Sequence, residues 1–214
     1  MVTAVAALCL AALAANVPAE QVDPIHASIR AMGGGGLRSV RFSGFGAAYS
    51  VVQNGDARQP RPRVILEKYE VNVDYHALAM RVQLMRAQGA APQLEVVDEG
   101  QQQIWMTPHG FLRAAVAHDA KTRRVPLGTE VSFVLAGKPY VGIIDGSNLV
   151  DRVHTWVNHP VLGEILVEVL YRDYEKVEGG LMFPTHIVKS EGGKVSLDVW
   201  LSSVRAKKSF KEAS

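Results

Sequence analysis

The sequence predicts a mainly β, α+β fold: a curled, unclosed antiparallel barrel or half-barrel of about ten strands with a helix packed in its concave face. Three observations predict it. Short segments with a period of two recur along the chain, so one side of each strand is apolar. Tight turns join them with no helix between, which antiparallel neighbours require. One helix signal, beginning at Thr107, stands in the middle of the strands and must bury its apolar stripe against a sheet. A sheet this wide curls, and a curled sheet offers a concave apolar side for that helix to fill.

The elements follow in order. Asp23-Pro24 is a cap followed by proline, and Ile25, Ile29 and Met32 keep a helical period through Ala31. The glycines from Gly33 to Gly36 end that helix; they precede a strand and do not follow one, so they are no phosphate loop. Leu37 to Ser43 and Phe45 to Val52 read as paired strands broken at Gly44. Gln53 to Asp56 is a turn, and Gln59 to Pro62 is an extended linker. Val64 to Tyr75 is a long strand with Ile65, Tyr69, Val71, Val73 and Tyr75 on one face. Leu78 to Leu84 suits its antiparallel neighbour, although a helix would also fit. Leu94 to Asp98 and Gln102 to Met106 read as short strands around Glu99-Gly100.

Then comes the central helix. The Thr107 hydroxyl can accept from a first-turn amide, and Pro108 sits where its missing N–H costs nothing. Phe111, Leu112, Ala115 and Val116 make its narrow apolar stripe. Val131 to Leu135 and Tyr140 to Ile144 alternate next. Asp145 to Asn148 is a tight turn. Leu149 to Val157, Ile165 to Tyr171, Leu181 to Lys189 and Val195 to Leu201 complete the strands, with turns at Glu178-Gly179-Gly180 and Glu191 to Lys194.

Composition bounds function more than it names it. A chain of 214 residues that is 48% hydrophobic and 21% charged can build one sizeable core. A formal charge of +2 is too small to suggest nucleic acid or an anionic membrane as the partner. The cluster Arg205, Lys207, Lys208 and Lys211 reads as a solvated tail. Met1 to Ala19 carries no charged side chain, and two sites, Ala12-Leu13-Ala14 and Val17-Pro18-Ala19, suit signal peptidase, although a basic start is missing. Residues 1–19 are therefore expected to be a cleaved export signal, with a buried N-terminal helix as the alternative. The apolar run is shorter than the ~20 residues a membrane span needs. Cys9 is the sole cysteine and lies inside that segment, so the remainder needs neither disulfides nor thiol chemistry.

Five segments carry a family resemblance: Gln103 to Ala115, Asn148 to Val157, Pro160 to Glu164, Val167 to Tyr174 and Phe183 to Val188. Together they resemble the N-terminal region of exported bacterial metallo-β-lactamase-fold proteins. That region is similar in plan to the LolA/LolB/LppX group, an unclosed antiparallel barrel wrapped round helices that shelters acyl chains. The resemblance implies a single LolA-like β domain over residues 20–205, a tail or linker over 206–214, and a place in the periplasm or cell envelope. The His-x-His-x-Asp-His metal motif of the fuller proteins is absent, since no two of the seven histidines stand two apart. Their hydrolase activity therefore transfers to no residue here.

The side chains taken singly give no catalytic constellation. His109 and His118 share the helix ~180° apart, so they cannot jointly hold a metal. His154 and His159 fall on opposite faces of one strand. Asp119 beside His118 reads as solvated, and Ser147 reads as a turn residue, not a nucleophile on a Gly-x-Ser-x-Gly elbow. No metal ligands, cofactor or catalytic residues are expected. The expectation is a non-catalytic exported module that shelters an apolar small molecule, a lipid acyl chain or a hydrophobic peptide. Trp105, Phe111, Leu112, Val116, Phe133 and Trp156 are its candidate lining. The alternative is the front domain of a zinc-dependent metallo-β-lactamase-fold hydrolase, its catalytic domain supplied in cis or in trans.

Overall fold

The computed structural model describes residues 23–49, 62–87, 93–159 and 163–209. The proposed signal at 1–19, the turn at 53–56 and Lys211 lie outside them. Helix α1 (Pro24–Ala31) leads into strand β1 (Leu37–Tyr49), followed by β2 (Arg63–Asp74), β3 (Ala79–Arg86) and β4 (Gln93–Glu99). Helices α2 (Gln101–Trp105) and α3 (Pro108–Ala117) come next. Seven strands complete the chain: β5 (Lys121–Val125), β6 (Gly128–Leu135), β7 (Lys138–Ile144), β8 (Val150–His159), β9 (Gly163–Val177), β10 (Leu181–Glu191) and β11 (Lys194–Lys208). The fold is mainly β, as predicted: one open, curled antiparallel sheet with helices on its concave side.

The eleven strands run in the order β4-β3-β2-β1-β11-β10-β9-β8-β7-β6-β5. This is not one simple meander. β4 and β5 follow each other in the chain with two helices between, yet they are the opposite edges of the sheet. The helices carry the chain across the concave face, and β1 then pairs with β11 to join the two runs of strands.

Both predicted caps form. The Asp23 carboxylate accepts from Ile25 N at 3.0 Å with Pro24 at the first turn of α1. The Thr107 hydroxyl accepts from Gly110 N at 3.1 Å with Pro108 opening α3. Gly33 leaves α1 with φ +65°, and a Cβ there would meet Gly180 O at 2.5 Å, so glycine is required twice over.

Several expectations are corrected. Gln102 to Met106 is not a strand. Gln103 N donates to Gly100 O and Met106 N to Gln103 O, closing short helical turns, and five mixed residues suit either period. Leu37 to Tyr49 is a single strand, not two paired ones. Its partners are β2 and β11, and Gly44 marks a bulge in the β11 pairing and not a turn. A second bulge, between Leu66 and Lys68, breaks the alternation of β2: Leu66 is fully buried while Ile65 is 41% exposed. β5 carries no apolar alternation (Lys-Thr-Arg-Arg-Val) and escaped the sequence reading. β11 continues to Lys208, with Arg205 opposite Arg41 and Lys208 opposite Leu37. Residues 206–208 therefore belong to the sheet and not to a solvated tail.

The core lies between the helices and the concave face. Phe111 is fully buried and packs on Phe133, ring centroids 5.4 Å apart, which in turn stacks on Tyr140 at 5.4 Å. Gly142 makes the room: a Cβ there would lie 2.6 Å from Phe111 Cζ.

Candidate functional site

The six candidate lining residues do not form one site. Phe111 and Leu112 are fully buried and Phe133 nearly so, and the three belong to the packed core beneath α3. Trp105 is half-buried against that core at the end of α2. Val116 is 45% exposed. Five residues beyond Phe111 place it ~140° round the helix, clear of the buried stripe. Trp156 lies on the other side of the sheet. Its neighbour Thr155 opposes Tyr140 and faces the core, so Trp156 faces outward with His154, whose ring it meets edge-on at 5.5 Å.

The apolar cleft sits further along the same concave face. Its roof is the corner between α2 and α3, made by Gln103, Met106, Thr107 and Pro108. Its floor crosses the middle of the sheet: Phe42 on β1, Tyr69 on β2, Met80 on β3, Val169 and Tyr171 on β9, Phe183 and Ile187 on β10, Leu197 on β11. The cleft has a volume of 70 Å³. The Phe42 ring meets Phe183 at 5.2 Å and Tyr69 at 6.4 Å, giving a floor of tilted aromatic pairs. Lys189 is the one charged residue in the lining, and its Nζ is 2.8 Å from the Glu191 carboxylate.

The polar atoms around the cleft are occupied in holding the corner. Thr107 Oγ1 donates to Ile104 O at 2.7 Å. A hydroxyl has one proton, so the Tyr75 hydroxyl, 3.2 Å away, donates to Thr107. The Tyr171 hydroxyl donates to Met106 O. Burial pushes the Tyr75 phenol up to about 12 and raises that of Tyr171 well above its ordinary range. Both stay protonated and serve as fixed donors. His109 Nε2 lies 3.4 Å from Met32 O, which can only accept, so Nε2 carries the proton. Its ring stacks on Phe183 at 5.7 Å and burial lowers its pKa to about 4.

Among the described residues no three His, Cys, Asp or Glu side chains are grouped to hold a metal. His186, on the outer face, lies between Asp198 at 2.8 Å and Asp173 at 3.8 Å and stacks on Trp200 at 3.8 Å. The cleft residues were hard to find from sequence because they come from six strands and one corner, and the alternation marks which face each occupies without marking where the packing is incomplete.

No family model matches the chain, and no curated protein matches it. Among solved structures it is similar to a crystal structure described as an outer membrane lipoprotein-sorting protein domain from Vibrio parahaemolyticus. That match covers 88% of this chain and 94% of the other, at 7% sequence identity and a TM-score of 0.42. A likeness at that level fixes neither a ligand nor an activity for this chain. The tie to metallo-β-lactamase-fold proteins finds no support in these comparisons.

Proposed function

We propose that this chain is a non-catalytic binding module of the cell envelope that shelters an apolar group, such as a lipid acyl chain, between the α2–α3 corner and the sheet. The observation that carries this reading is the cleft itself, which is roofed by a helical corner and floored by aromatic and aliphatic side chains. Burying an apolar chain there yields ~25 cal/mol per Å² before ordering costs. At 70 Å³ the cleft admits only a short apolar segment as it stands. A longer chain requires the flexible thioethers of Met80 and Met106 to swing aside, a motion their unbranched side chains allow. The uncharged segment Met1 to Ala19 supports export, and no helix among the described residues is long and apolar enough to cross a membrane.

The test is lipid extraction and mass spectrometry of the protein purified from a bacterial host, with titration of a fluorescent fatty acid. Leu197→Trp fills the cleft from the sheet side and is expected to weaken the titration at least ~10-fold, about 1.4 kcal/mol. A fluorescent fatty acid that binds Leu197→Trp as well as the native chain would sink the assignment to this cleft, and so would the absence of any bound lipid or titratable probe.

A further inference from the structure

The molecule also has a polar trough of 1020 Å³ whose charged walls lie on the outer face of β1, β2, β3 and β11. A smaller recess of 190 Å³ shares Arg41, Glu70 and Arg205 with it. Register shows how these side chains come together. Arg205, Arg41 and Asn72 stand in one row across β11, β1 and β2. Lys207, Ser39 and Asp74 form the row beside it, and Ser203, Ser43 and Glu70 the row on the other side.

Like charges directly opposite on an antiparallel pair repel, so Arg41 facing Arg205 needs a counter-charge. Glu70 supplies part of it. Its carboxylate is 2.8 Å from Arg41 and 3.2 Å from Lys68, and only 7% of its side chain is exposed. One carboxylate is thus shared between two cations. Arg205 and Lys207 have no ion-pair partner among the described residues. The 190 Å³ recess is lined by Arg41 and Arg205, by Ser43 and Ser203, and by Phe42 and the Glu70 carboxylate, which Arg41 and Lys68 already neutralise.

The geometry points to this recess as a binding site for a tetrahedral oxyanion, a phosphate or sulfate group held between Arg41 and Arg205 with the Ser43 and Ser203 hydroxyls beside it. Guanidinium forks match two oxygens of such a group at once, serine hydroxyls donate to the others, and Lys207 adds a point charge from the adjoining trough. The bound anion relieves the Arg41–Arg205 repulsion that the bare sheet carries. The site lies across the sheet from the apolar cleft and does not depend on it.

The full chain is titrated calorimetrically with inorganic phosphate and pyrophosphate at low salt. In parallel it is sedimented with phosphatidylglycerol and with phosphatidylcholine vesicles. The expected result is saturable binding that weakens with added salt and falls at least ~10-fold in Arg205→Gln, a change that removes no ion pair on which folding relies. Lys121→Gln, on the distant edge strand β5, is expected to leave binding unchanged. Binding of free phosphate alone supports a soluble phosphate ligand, and binding of phosphatidylglycerol vesicles alone supports a lipid headgroup. No binding in either arm overturns the site, as does an Arg205→Gln protein, folded by circular dichroism, that binds like the native chain. An equal loss in Lys121→Gln also overturns it, because the effect would then be diffuse charge.

Discussion

His109 shows what burial does to a single residue. It stands in the first turn of α3, 3% exposed, with Nε2–H directed at Met32 O and Nδ1 left without a partner. Met32 O also accepts from Met182 N at 3.0 Å, so the histidine is not needed to satisfy that carbonyl. Burial disfavours the imidazolium and lowers its pKa from 6.5 to about 4. The folded value lies below the unfolded one, so between pH 6.5 and 4 the unfolded chain takes up the proton first and stability falls as pH falls. The penalty is absent above pH 6.5 and complete below about 4, with a ceiling on the order of 3 kcal/mol. Urea unfolding at pH 7 and pH 5 is expected to show the native chain losing about 2 kcal/mol more than His109→Leu over that interval. Parallel losses in the two proteins would mean that His109 is already charged in the fold.

The three helices differ in how openly the sequence announced them, and the difference is physical. α1 and α3 begin with a capping side chain followed by proline, which are local signals, and both were read to within a residue or two. α2 has no side-chain cap and spans five residues, and tertiary packing of Ile104 decides its form. Among the strands, alternation located most of those with a buried face. It failed at β5, whose side chains are mostly exposed, and at the bulges of β1 and β2, where one extra residue reverses the pattern. The candidate site was legible only as a concave face with a helical stopper. Phe111 and Leu112 were identified as inward-facing, but a stripe does not say whether the space it faces is filled. Thr107 matters at this scale because it ties three elements: it caps Gly110 N, donates to Ile104 O and accepts from Tyr75. Thr107→Ala is expected to cost about 2 kcal/mol by urea unfolding, with Thr107→Ser recovering most of it. A loss below about 0.5 kcal/mol would show that packing alone holds the corner.

Sheet order gives the whole molecule one critical seam. β4 to β1 form one run of strands and β5 to β11 another, and among the described residues the strand pairing that joins them is β1 with β11. That pairing sets Leu37 opposite Lys208, so the first and last strands of the described chain must meet before the concave face exists. No local pattern could reveal this, because the partners are remote in sequence and such contacts form late and slowly. The backbones also approach closely at the seam. A Cβ on Gly46 would meet Asp198 O at 2.1 Å and Val199 Cα at 2.8 Å, and one on Gly44 would meet Trp200 O at 2.0 Å. Backbone atoms cannot swing away as a flexible side chain can, so a methyl group there must push β1 and β11 apart. Gly46→Ala is therefore expected to cost more than about 2 kcal/mol despite adding a single carbon. The loss should read as a lower urea midpoint, with amide exchange accelerated in β1 and β11 before β6 to β8. The apolar cleft, which takes Phe42 from β1 and Leu197 from β11, should lose its fluorescent fatty acid in the same variant. An unchanged midpoint, or uniform acceleration across all strands, would show that the two runs are held together through the helices and not through this pairing.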